Sequence, residues 1–249
     1  MIKPRFLNLG DSALTLEFGN TIDQHLVSAV AALDARLIQE KEAGRLVGII
    51  ETVPTFRSLT VIFDPLVLSR TTLQDQLMML LDEADSGLQQ STRHWRLPVC
   101  YGGEYGPDLE SVATSRGLTP EKVVDLHVSQ TYLVYMIGFL PGFPYMGDVD
   151  PALHMPRLTE PRIRVPVGSV AITGQQTAIY PWESPGGWQL LGRCPLTLFD
   201  AQRPEPALLA PGDRVEFQVI SASEYKALAE EGQGGSMDVA RFLLEEVNT

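Results

Sequence analysis

Hydrophobic positions along the first ninety residues change spacing from one segment to the next. In ALTLEF, residues 13–18, Leu14, Leu16 and Phe18 alternate with less apolar neighbours, the period of a half-buried strand. From residue 22 to 44 the interval lengthens. Leu26, Val30, Leu33 and Leu37 recur at helical spacing, and Gly44 supplies a stop. LVGIIETVP and SLTVIFD are short β-rich runs, and TTLQDQLMMLLDEA is a second amphipathic helix. The order strand–helix–strand–strand–helix predicts a small α+β N-terminal domain over residues 1–88. The polar stretch DSGLQQSTRH reads as a linker.

Beyond Trp95 glycine and proline become frequent and short β-runs dominate: WRLPVCY, LVYMIGF, RIRVPVGSVAIT, TAIYP, WQLLGRC and DRVEFQVI. Many short strands separated by turn residues predict a mainly-β domain, barrel or sandwich, over residues 95–220. Within RIRVPVGSVAIT the apolar positions fall at Ile163, Val165 and Val167, then at Val170 and Ile172. The alternation slips at Gly168–Ser169, as it does at a bulge or tight bend. Residues 221–249 read as a helical tail: SEYKALAEE and DVARFLLEE carry helical patterns on either side of the flexible GQGGS.

Charge narrows the function classes. The 249 residues include 19 Lys+Arg and 31 Asp+Glu, a net charge of −12, which disfavours nucleic acid and anionic membranes as partners. This matters for DLESVATSRGLTPEKVVDLH, where Ala113, Gly117 and Val123 fall at helix-turn-helix spacing. Two helices joined at Gly117 are expected there, with Pro107 and Pro120 near their starts. The second helix offers one lysine against Glu121 and Asp125, so DNA reading is rejected. Cys100 and Cys194 are too few for a disulfide scaffold and lack metal-ligand spacing. The apolar run from Tyr132 to Met146 is broken by Gly138, Pro141, Gly142 and Pro144 and is too short to span a bilayer. No secretion signal is evident at the N-terminus, so a cytoplasmic location is expected.

No phosphate-binding loop, HExxH, nucleophile elbow or zinc pattern occurs. The informative stretches are LHVSQTYLVYMIGFLPGFPYMG, EPRIRVPVGSVAITGQQTAIYPWESPGGWQLLGRCP and LAPGDRVEF, together with VPTFRSLTVIFDP in the first domain. They resemble the family of B-type 5-oxoprolinase subunits, which also holds allophanate hydrolase subunit 1 and a sporulation-kinase inhibitor. The resemblance extends over nearly the whole chain to about Ile220. The stretch GRCP at residues 192–195 stands where the family usually has GRTP. The resemblance implies a cyclophilin-like β-barrel after the α+β domain. It also implies a second cyclophilin-like subunit (C type) and a third, hydrolase-type subunit (A type) as partners. The implied reaction opens 5-oxo-L-proline to L-glutamate with ATP, bound only in the complex, and no metal site is recognised. Two alternatives stay open: a regulatory protein that inhibits a sensor histidine kinase, and a component of a urea or allophanate amidohydrolase system.

Candidate site residues follow from these stretches. His127, in the family's LH, is a candidate catalytic residue that could donate a hydrogen bond to a lactam or phosphoryl oxygen, against a satisfied core or cap histidine. Arg162 is a candidate catalytic anion binder through its planar fork, against a surface pair with Glu160. Arg164 shares its face of the strand, with a weaker case. Gln176, Thr177, Tyr180 and Arg193 are candidate substrate contacts near a Gly-rich turn, against plain turn stabilisation. Glu183 is a weaker candidate base. In GFLPGFPYMG the prolines fix φ and the glycines permit φ > 0, which holds Phe139, Phe143 and Tyr145 in one relief. With Trp188 they form an expected pocket wall or subunit interface, against a turn that closes the core.

Overall fold

A computed structural model describes residues 4–21, 23–84, 91–234 and 237–248. The chain divides into two compact units, residues 1–90 and 91–248.

The first unit is a four-stranded antiparallel sheet with two helices. Its strands are β1 (Arg5–Leu9), β2 (Ala13–Glu17), β3 (Ile49–Pro54) and β4 (Ser58–Phe63), in the order β1-β2-β4-β3. The helices are α1 (Gln24–Glu42) and α2 (Arg70–Ala84). Asp23 caps α1 by accepting from the His25 amide. Leu14, Leu16, Leu59, Val61 and Phe63 of the sheet pack against Val30, Leu33, Leu37, Leu73 and Leu77 of the helices. Each such side chain gains about 1.5–3 kcal/mol on burial. The spacing read from sequence is therefore the spacing of the core. The strand β1 escapes that reading because it is an edge strand with almost every residue exposed, so no alternation marks it.

The second unit is a closed barrel. Its strands are β5 (Ser91–Tyr101), β6 (Tyr132–Ile137), β7 (Pro144–Gly147), β9 (Ser169–Thr173), β10 (Gln176–Ile179), β12 (Gln189–Arg193) and β13 (Arg214–Val219). These seven run in the order β12-β9-β10-β7-β6-β13-β5, and β12 pairs with β5 to close the ring. All pairings are antiparallel except β13 with β5. A separate ribbon joins β8 (Arg162–Val165) to β11 (Ser184–Gly186). The slip at Gly168 marks the place where the chain leaves this ribbon and enters the barrel. Gly168 has φ +80°, and a Cβ there would collide with the Cys194 carbonyl, so only glycine fits. The helices α3 (Leu109–Arg116) and α4 (Pro120–Val128) meet at Gly117, a left-handed cap with φ 66°. They pack on β12 and β13.

Four sequence expectations are corrected. PYMG is a strand, β7, paired on both sides, so only residues 138–143 of GFLPGFPYMG form the turn. ESPGGW contains β11 rather than a turn alone. Of the expected linker, residues 85–90 lie outside the described residues and Ser91–His94 begin β5. In the tail, α5 (Ala222–Gln233) is helical behind a full capping box, but DVARFLLEE is not. Val239–Phe242 form a short 3-10 turn and β14 (Leu243–Asn248) adds to the free edge of β5. The open backbone edge of the long strand β5 offers that segment more hydrogen bonds than an isolated helix of nine residues could keep.

Candidate functional site

The strands β9 and β10 are buried on both faces, and the two faces carry different chemistry. Val170, Ile172 and Ile179 enter the main barrel core with Leu97, Val99, Tyr132 and Val215. Ala171 and Ala178 point the other way, into an aromatic layer of Phe143, Tyr180 and Trp188 with Tyr145 at its margin. Small residues at 171 and 178 leave room for these rings. Phe143 lies 5.1 Å from Tyr180 and 6.0 Å from Trp188, both edge-on, and 4.8 Å from Tyr145. Because residues two apart share a face, Gln176 stands on the same side as Ala178 and Tyr180, and Tyr145 pairs directly with Ala178.

The polar margin of this layer is the candidate site. The Gln176 amide nitrogen is buried without a hydrogen-bond partner. Burial pushes the Tyr180 phenol up to about 12, and the positive charges of Arg157 and Arg162 pull partly against it. Arg157 acts in the same sense on Tyr145, whose phenol is also raised by burial. The margin thus offers an unused amide donor, two phenols that stay protonated and an arginine. That set suits a small polar ligand bearing a carboxylate or carbonyl.

Arg162 belongs to the framework of this margin. Its guanidinium donates to Asp108 Oδ1 at 2.5 Å and, at 3.4 Å, to the Trp188 carbonyl. The other oxygen of Asp108 accepts from the Leu190 amide at 2.6 Å, and the Asp108 amide donates to the Leu190 carbonyl at 3.0 Å. The partner of Arg162 is an internal carboxylate, Asp108, rather than the surface Glu160. Arg164 lies 3.6 Å from Glu183 on the surface.

His127 is likewise held by internal partners. It is fully buried, stacked on Phe217 with ring centroids 4.8 Å apart. Thr177 Oγ1 donates to the Ala171 carbonyl at 3.1 Å, which leaves its oxygen to accept from His127 Nε2 at 3.0 Å. His127 Nδ1 must then accept from the Tyr101 hydroxyl at 2.8 Å. This directional chain fixes one neutral tautomer. Burial pushes the imidazole down to about 3, so the ring keeps its one Nε2 proton and does not take up a second near neutrality. Thr177 is committed to the same chain and faces the barrel core, away from Gln176. Arg193 spends its Nε–H on the Val167 carbonyl at 2.8 Å.

The expected wall divides into two parts. Phe143 and Trp188 are core residues, 2% and 4% exposed. Phe139 is 64% exposed, stands edge-on to Phe143 at 5.6 Å, and has φ +68° without being glycine. An exposed aromatic held in the left-handed region costs about 1–2 kcal/mol, a pattern concentrated at binding sites. Trp182, 44% exposed, donates to the Pro141 carbonyl beside it. Sequence reasoning missed Asp108, Tyr101 and Arg157. Asp108 lies in the turn before α3, 54 residues from Arg162, and no local pattern links the two.

Together the seven-stranded ring, its attached ribbon and the helical hairpin define a cyclophilin-like barrel domain, which follows a small α+β unit in the chain. The chain belongs to the family described as carboxyltransferase domain, subdomain C and D, whose model matches residues 4–209, and within it to the group of B-type 5-oxoprolinase subunits. It is 40% identical over 237 residues to the B-type 5-oxoprolinase subunit of Bacillus subtilis, covering 90% of this chain and 95% of that protein. Among solved structures, TTHA0988 superposes with TM-score 0.74 at 38% identity, over 84% of this chain and 40% of that one. The K. lactis urea amidolyase has the same fold at TM-score 0.76 and 23% identity, covering 94% of this chain and 16% of that one. Among the described residues no helix is long and apolar enough to cross a membrane, and no group of His, Cys, Asp or Glu could hold a metal ion.

Proposed function

We propose that this chain is the B-type subunit of an ATP-dependent 5-oxoprolinase, a cytoplasmic complex that opens 5-oxo-L-proline to L-glutamate. The observation that carries this reading is the near full-length match to the B-type 5-oxoprolinase subunit of Bacillus subtilis. The barrel supplies half of a composite site, and a second cyclophilin-like subunit of C type and a hydrolase-type subunit of A type supply the rest. Supporting this division, the charged groups singled out in the barrel are spent internally: Arg162 on Asp108 and Arg193 on a backbone carbonyl. Such arginines do not form a phosphate cradle, so ATP is assigned to groups elsewhere in the complex. The role left for this chain is to bind and orient the lactam at the margin of the aromatic layer. Arg157 would meet the substrate carboxylate, while the Gln176 amide and the Tyr145 and Tyr180 hydroxyls would donate to its carbonyl. Next to that margin, Phe139 and Trp182 would anchor the C-type subunit.

ATP hydrolysis by the reconstituted three-subunit complex, with 5-oxo-L-proline and with allophanate in parallel, tests this reading. Stimulation by 5-oxo-L-proline alone is expected. Stimulation by allophanate alone would move the chain to the urea-type system.

A further inference from the structure

Ser184 of β11 is 8% exposed, and among the described residues its buried Oγ has no hydrogen-bond partner. The other buried serine and threonine hydroxyls among the described residues are spent. Ser169 donates to the Pro166 carbonyl at 2.7 Å, Thr173 to the Met155 carbonyl at 3.4 Å and Thr177 to the Ala171 carbonyl at 3.1 Å. Packing does not require a hydroxyl at 184, because alanine fills almost the same space without desolvating a polar group. Ser184 pairs with Val165 across the β8–β11 ribbon, and directly opposed residues share a face. Val165 belongs to the aromatic layer, so Ser184 is turned toward that layer, while Glu183 and Arg164 meet on the exposed face. Gly186, two residues on, approaches the same layer: a Cβ there would lie 2.4 Å from the Tyr180 hydroxyl. Two residues of strand span about 7 Å, so the Ser184 and Tyr180 hydroxyls border one stretch of the layer. The ribbon is a sheet of its own, with no ladder to the barrel strands among the described residues, so it can yield to a ligand without breaking barrel pairings.

We infer that Ser184 is a specificity-determining residue of the site at the margin of this layer, where it reads the N–H of a lactam or other secondary amide. This rests on the reading that the substrate sits at that margin. The groups assigned there so far are donors: the Gln176 amide and the two phenols toward a carbonyl, and Arg157 toward a carboxylate. None of them accepts from the substrate N–H. The Ser184 oxygen supplies that acceptor, and its own hydrogen turns to the carboxylate on the adjoining carbon. A lactone places an acceptor where the N–H stood and loses the bond, and a site built around such a bond rejects the analogue that lacks it.

Titration calorimetry on the full chain tests this with 5-oxo-L-proline and with its lactone analogue, in which a ring oxygen replaces the N–H. Wild type is expected to bind the lactam saturably and at least about tenfold tighter than the lactone. Ser184→Ala is expected to bring that ratio to about one. It should also keep the melting temperature at or above the wild-type value, since the free protein loses no bond. Ser184→Cys, a weak acceptor of similar size, takes its place should the alanine variant fail to fold. Absence of saturable lactam binding, equal binding of lactam and lactone by wild type, or a ratio that survives in the folded variant would each overturn the proposal. A lowered melting temperature in folded Ser184→Ala would do the same, by showing that the hydroxyl already serves a structural bond. If the ratio collapses in the variant but 5-oxo-L-proline does not stimulate ATP hydrolysis by the complete complex, the amide site stands and the assigned reaction fails.

Discussion

Acid should weaken this protein through His127, and the size of the effect follows from its surroundings. An unfolded histidine titrates near 6.5. In the fold the ring is held at about 3 by burial, with Nδ1 already accepting from Tyr101. Below pH 6.5 the unfolded chain therefore binds a proton that the native chain refuses. Stability conferred by this group is complete above that pH, falls as pH drops, and stops falling near pH 3. The full difference corresponds to about 5 kcal/mol, and the loss between pH 7 and pH 5 to about 2 kcal/mol. His127→Gln removes the titration while retaining a hydrogen-bonding side chain. Urea unfolding of both proteins at pH 7 and pH 5 isolates the term, since every other titrating group is common to both. The variant is expected to be less stable at pH 7, yet to lose about 2 kcal/mol less than wild type on acidification. Equal losses would show that the ring is protonated in the native state and would refute the fixed neutral tautomer.

The aromatic layer and its exposed tip should respond oppositely to truncation. Phe143→Ala should cost about 3–5 kcal/mol in unfolding free energy, whereas Phe139→Ala should leave the melting temperature of the isolated chain near wild type and cost about 2 kcal/mol or more in binding to the C-type subunit. Surface plasmon resonance alongside thermal melting reads both, and unchanged affinity in Phe139→Ala would remove it from the interface. Asp108→Asn and Arg162→Lys should each destabilise the chain by about 1–3 kcal/mol. The double variant should cost much less than their sum, because both break one pair, and strict additivity would separate the two residues.

The chain order of elements was legible wherever one face of an element is buried and the other is not. Leu33 and Leu37 announce α1, and Leu14 and Leu16 announce β2, because period and burial coincide there. The slip at Gly168 was legible for the same reason, since it separates two stretches that serve different sheets. Elements without that contrast were missed. The edge strand β1 is exposed almost throughout, and β7 hides among prolines and glycines whose turn chemistry applies only to the residues before it. The strand β14 forms on an edge that exists only once β5 is in place. In the candidate site, the sequence stretches hold the residues of the aromatic layer but do not reveal the internal partners of His127 and Arg162. His127 and Thr177 lie 50 residues apart and Asp108 and Arg162 lie 54 apart. Whether a polar side chain is spent internally depends on such long-range partners, and periodicity carries no information about them. The face of β10 was readable in principle: Gln176 and Tyr180 share a parity that Thr177 lacks.

The central claim is that this chain is necessary for opening 5-oxo-L-proline and insufficient alone. Glutamate formation from 5-oxo-L-proline with ATP tests it directly, measured for the purified chain, for the C-type and A-type subunits together, and for all three. Turnover is expected only in the complete mixture. Turnover by the single chain, or undiminished turnover when it is omitted, would contradict it.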